Sequence, residues 1–102
     1  MRSITITYQY DGPEADWRET VETFVAAVNA DNRISGRFVY QIAVADDGIT
    51  RIHWGRWDTP ETLKTMQGSD YFKTFAAKLH AIAGDSLKNT GADVALRTEG
   101  WG

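Results

Sequence analysis

From Ser3 to Gln9 apolar and polar side chains alternate, with Ile4, Ile6 and Tyr8 on one side and Ser3, Thr5, Thr7 and Gln9 on the other. That period of two predicts a strand with one apolar face. Asp11-Gly12-Pro13 is a turn signal that ends it. Asp16 and Glu19 have the spacing of a capping box, and Trp17, Val21, Phe24, Val25 and Val28 follow at helical intervals, predicting a helix that ends near Ala30. Gly36 to Ala45 alternates again, Phe38, Tyr40, Ile42 and Val44 against Arg37, Val39, Gln41 and Ala43. Asp46-Asp47-Gly48 is a hairpin turn, so a third strand from Ile49 to Trp57 pairs antiparallel with the second.

Pro60, after Asp58-Thr59, sits where a first helical residue belongs and opens a short helical piece. Gly68-Ser69 breaks it. Ser69 is an N-cap for a longer helix with the stripe Phe72, Phe75, Ala76, Leu79, Ile82 and Ala83, and Gly84 stands where a C-cap glycine is expected. Asp85 to Thr90 reads as a polar connector and Gly91 to Thr98 as a last strand carrying Val94 and Leu96. The order β-α-β-β-α-β over residues 1–102 implies one α+β domain of ferredoxin-like type, a four-stranded antiparallel sheet with the helices on one face. The strands carry Tyr8, Phe38, Tyr40, Trp54 and Trp57, more aromatic surface than two helices should cover. A second copy packed on the open face is therefore expected, a homodimer.

Composition changes this picture little but closes several routes. The 102 residues contain no cysteine, which removes disulfides, thiol catalysis and Cys-based metal sites and fits a reducing compartment. A net charge of −3 gives no basic footprint for nucleic acid. No apolar run approaches the ~18–20 residues that span a bilayer, and the first residues lack the apolar core of a signal peptide. A cytoplasmic protein without nucleic-acid or membrane partners is the expectation. Two histidines far apart, His53 and His80, with no recognisable carboxylate spacing, do not make a metal site, and no Gly-rich phosphate loop is present.

His53 is the strongest chemical candidate. Strand alternation puts Arg51, His53, Gly55 and Trp57 on one face and Ile52, Trp54 and Arg56 on the other. Gly55 leaves room for another group to approach the strand closely. An imidazole there is a candidate general base, or else a histidine hydrogen-bonded at a subunit interface. Trp57 and Trp54 are candidate walls for a planar organic ligand, with ordinary sheet packing as the alternative. Arg51 is a candidate carboxylate or enolate clamp, against the commoner strand-edge ion pair. His80, near a helix C-terminus, reads as structural.

Trp57, Thr59, Glu61-Thr62-Leu63 and Ser69-Asp70-Tyr71-Phe72 together resemble the dimeric α+β barrel superfamily, in particular domains of the antibiotic biosynthesis monooxygenase type. That family tends to show a Trp closing the third strand, a Glu-Ala-Leu-like triplet and a Ser-x-His-Phe helix start. The resemblance implies a homodimeric barrel and a cofactor-independent oxidation of a planar phenolic or polyketide-like compound. Where the family often carries histidines, this chain has Met66 and Tyr71. Tyr71 would then donate a hydrogen bond to an anionic intermediate, or be a boundary residue with its hydroxyl in water. The haem-degrading branch uses a helix Trp and, ten residues on, an iron-ligating His; those places hold Met66 and Ala76, so no cofactor is expected. Gln9 lies near where that branch has a pocket Asn. The alternative reading is a non-catalytic ligand-binding or stress-responsive dimer on the same scaffold.

Overall fold

The computed structural model describes residues 1–99. Its elements are β1 (Arg2–Gln9), α1 (Glu14–Ala30), β2 (Phe38–Val44), β3 (Thr50–Trp57), α2 (Pro60–Gln67), α3 (Asp70–Ala83) and β4 (Lys88–Asp93). The sheet runs β2-β3-β1-β4, antiparallel throughout. This is the expected ferredoxin-like arrangement.

The local devices are those that the residue types dictate. The Thr59 hydroxyl accepts from the Thr62 N–H at the start of α2, with Pro60 as first helical residue, and the Ser69 hydroxyl accepts from the Phe72 N–H at the start of α3. Asp47 accepts the Ile49 and Thr50 N–H groups in the hairpin between β2 and β3, where Gly48 takes φ 74.

Two boundaries differ from expectation. Helix α1 starts at Glu14, two residues before Asp16, and no side chain caps it. Pro13, at φ −59, already presets the entry, so the Asp16–Glu19 capping box is not formed. The last strand spans Lys88–Asp93 rather than Gly91–Thr98. It is an exposed edge strand whose position is set by pairing, Thr7 opposite Lys88 to Arg2 opposite Asp93, and no apolar alternation marks it. Leu96, expected within it, lies beyond it and is 94% exposed.

Sidedness follows from register. Ile6 and Ile42 both stand opposite His53, and Ile4 and Tyr40 opposite Gly55. The helix-covered face therefore carries Ile4, Ile6, Tyr8, Phe38, Tyr40, Ile42, Arg51, His53 and Trp57, packed on Trp17, Val21, Phe24 and Val28 of α1, Met66 of α2 and Phe75, Leu79 and Ala83 of α3. Of the five strand aromatics only Trp54 stands on the open face, since it alternates with the buried set. The aromatic count thus does not by itself require a second copy. Among the described residues no helix is long and apolar enough to cross a membrane.

Candidate functional site

His53 lies at the centre of β3 with no solvent exposure. Its Nε2 meets the Tyr8 hydroxyl at 2.8 Å and its Nδ1 meets the Tyr40 hydroxyl at 2.9 Å. Tyr8 in turn accepts from the Trp17 indole N–H at 2.8 Å. Phe75 covers the imidazole, the ring centroids 5.9 Å apart and nearly parallel. Burial, with no charged partner to offset it, lowers the His53 pKa to about 4, so the ring is neutral near pH 7.

The direction of this hydrogen-bond chain can be worked out by counting donors. Trp17 can only donate, so one Tyr8 lone pair is taken. If His53 also donated to Tyr8, the Tyr8 O–H, 2% exposed, would be left without an acceptor, at a cost of about 1–3 kcal/mol. The opposite polarity avoids this. Tyr8 donates to Nε2, Nδ1–H donates to Tyr40, and the proton of the Tyr40 hydroxyl remains to be given elsewhere. Among the described residues that hydroxyl has no hydrogen-bond partner except His53. Burial first, and the neighbouring Tyr8 second, push the Tyr40 pKa far above that of an ordinary phenol. Tyr40 is thus a neutral donor.

Tyr40 owes its position to Gly55. A Cβ at residue 55 would lie 3.0 Å from Tyr40 Cδ1 and 3.2 Å from Cε1. The room that Gly55 leaves is filled by this ring and not by a ligand.

Tyr40 also borders a largely apolar cavity of about 290 Å³ between the sheet and helices α2 and α3, walled by Trp57, Met66, Phe38, Leu63 and Phe72. Polar groups on its lining come from Gln67, His80 and Asn89. A larger but more open groove of about 530 Å³ runs along α1, and Tyr40 borders it as well. The smaller cavity is the more enclosed and the more apolar, which suits an organic ligand better.

The structure brings Trp57 and Met66 together on this cavity, with His53 one residue behind it. It separates the other expected site residues. Arg51, 2% exposed, makes paired 3.0 Å contacts with both Glu14 carboxylate oxygens, donates to Tyr10 and Gly48 carbonyls, and lies over the Trp17 ring at 4.4 Å. It braces the start of α1 against the β2–β3 turn. Tyr71 donates to Asp31 Oδ2 at 2.9 Å and does not line the cavity. Gln9 is exposed on the open face, its backbone N–H donating to the Ser86 hydroxyl at 3.1 Å. Trp54, also on the open face, has the Arg56 guanidinium 5.9 Å from its ring centre. Tyr40, His80 and Asn89 were not anticipated as site residues. The helical spacing does carry a trace of His80, four residues after Ala76 on the edge of the α3 stripe. Among the described residues no three His, Asp or Glu side chains converge as a metal site would require.

No family model matches the chain. No curated protein matches it either. Solved structures do. The cofactor-independent oxygenase SnoaB of Streptomyces nogalater, in a mutant form, superposes with a TM-score of 0.77 at 11% identity, covering 96% of each chain. Rv0793 of Mycobacterium tuberculosis gives 0.77 at 11% identity, over 94% of this chain and 96% of that one. A Caulobacter crescentus protein described as an antibiotic biosynthesis monooxygenase gives 0.73 at 18% identity, over 93% and 90%. The chain therefore has the α+β fold of antibiotic biosynthesis monooxygenase domains.

Proposed function

We propose that the cavity between the sheet and α2/α3 takes a planar phenolic or polyketide-like molecule, which the chain oxidises without a cofactor. The observation that carries this reading is the chain Trp17–Tyr8–His53–Tyr40, whose polarity leaves one O–H donor at the wall of an apolar cavity. A neutral Tyr40 donates to the substrate oxygen as it becomes anionic. His53 acts through Tyr40 and is a positioning residue, not the base. His80, the other titratable side chain on the cavity lining, takes the proton. The ring carbon made electron-rich by that loss bonds to dioxygen. The resulting hydroperoxide loses water together with the ring hydrogen and leaves a quinone. One oxygen atom enters the product, the other leaves as water, and the substrate supplies the electrons. The fold shared with a protein described as a cofactor-independent oxygenase supports this chemistry.

Binding without turnover is the second reading. It is favoured by Met66 and Tyr71 standing where the similar family often has histidines. Oxygen uptake with a panel of polycyclic phenols separates the two. Wild type should consume oxygen above background, and Tyr40→Phe and His80→Gln should each lower the rate, Tyr40→Phe by about 10²-fold, the usual cost of losing one oxyanion donor. Equal background rates in all three, with ligand still quenching the tryptophan fluorescence of wild type but not of Trp57→Phe, would leave only the binding reading.

A further inference from the structure

Arg56 stands on the open face of the sheet, opposite Ser3 of β1 and Val39 of β2, yet it is only 4% exposed. Its Nη1 contacts the Met1 sulfur at 2.8 Å, while Nε and Nη2 are buried with no hydrogen-bond partner. A buried guanidinium with idle donors is costly, so a group that supplies acceptors there is strongly favoured. The two idle atoms are not independent. Nε–H and the adjacent Nη2–H lie along one edge of the planar fork, the edge that matches the two oxygens of a carboxylate.

The surroundings suit the rest of such a molecule. A depression of about 460 Å³ beside Arg56 is lined by Trp54, Val94, Leu96, Ser3 and Arg97, and no Asp or Glu lines it. The indole and aliphatic side chains offer an apolar wall, and Arg97 adds a second positive charge. Nothing in the depression competes with an incoming anion.

We propose that this open face holds a site for a small organic carboxylate, paired in bidentate fashion with Nε and Nη2 of Arg56, its apolar body against Trp54. The site is on the opposite side of the sheet from the cavity bordered by Tyr40 and does not depend on what that cavity does.

The test is to titrate benzoate into the protein labelled with nitrogen-15 on arginine and follow the Nε–H signals. The Arg56 signal is identified by its absence in Arg56→Lys. Benzoate at millimolar concentrations should move it in a saturable way. Benzamide, of the same shape but uncharged, should bind at least tenfold more weakly, as should benzoate to Arg56→Gln. No movement of the Arg56 signal with benzoate, or equal movement with benzamide, overturns the proposal. So does an Arg56 signal that shifts with protein concentration and ignores benzoate, because the carboxylate would then come from a second copy of the chain. The wild-type titration decides the matter even if Arg56→Gln folds poorly.

Discussion

Lowering the pH from 8 to 5 should remove about 2 kcal/mol of folding stability through His53 alone. In the unfolded chain an imidazole takes up a proton below its ordinary value near 6.5. In the folded chain burial delays that uptake to about 4. Between those two values the unfolded state binds more protons, so stability is intact above about pH 6.5 and is lost as the pH falls towards 4. At pH 5 the interval below 6.5 is one and a half units, and at about 1.4 kcal/mol per unit the loss is about 2 kcal/mol. Carboxylates held low, such as Asp31 by Arg33, Asp58 by Thr62 and Arg37, and Glu14 by Arg51, add their own losses only below the ordinary carboxylate range. The window from pH 8 to 5 is therefore nearly free of them. Urea unfolding followed by tryptophan fluorescence at the two pH values measures the change in wild type and in His53→Gln, whose amide cannot titrate. The variant will start from a lower stability, but its difference between the two pH values should shrink to under about 0.5 kcal/mol. The burial argument fails if wild type is equally stable at both values, or if the variant loses as much as wild type.

Tyr8→Phe removes the acceptor of the Trp17 N–H and the partner of His53 Nε2 together, and should cost about 2–5 kcal/mol in denaturant unfolding. Gly55→Ala drives a methyl group into the Tyr40 ring and Ile4, so a loss of about 1–3 kcal/mol in unfolding, with weaker ligand binding in the cavity, is expected. Tyr71→Phe loses one exposed-side hydrogen bond to Asp31, should cost about 1 kcal/mol or less on thermal unfolding, and should leave any oxygen uptake unchanged. Met66→Ala should lower stability by about 2–5 kcal/mol in urea while admitting bulkier polycyclic ligands, read by fluorescence quenching.

Element order and the sheet's make-up were legible in the chain because turn and cap residues stand where backbone geometry demands them: Pro60, Ser69, Gly84 and the Asp47-Gly48 turn. Strand alternation likewise sorted Arg51, His53, Gly55 and Trp57 onto one face. Which face is inward was not legible, because each set of β3 holds a tryptophan and an arginine, and hydrophobicity does not choose between them. The answer comes from pairing, since Ile6 and Ile42 flank His53 on the neighbouring strands. The same gap hid Tyr40. A close approach at Gly55 could be foreseen from the glycine, but its occupant depends on the β2–β3 register. Edge strand β4 was misplaced because it is exposed on both faces and bears no period-two signature.

That a helix-facing strand can carry Arg51 and His53 at its centre has a common physical basis. Each polar side chain arrives with its acceptors and donors supplied from other elements: Glu14 from the start of α1 for Arg51, Tyr8 from β1 and Tyr40 from β2 for His53, with Trp17 of α1 closing the chain on Tyr8. Apolar packing tolerates sliding of a helix by fractions of a turn, whereas three hydrogen bonds in series do not. The network therefore fixes the placement of α1 over the sheet in a way that the Val21–Phe24–Val28 stripe alone cannot. Breaking it at Tyr8 should loosen α1 first, so amide exchange in the Tyr8→Phe variant should quicken over α1 before it does over α3. Uniform quickening across both helices would mean that the network adds only to global stability and does not set helix position.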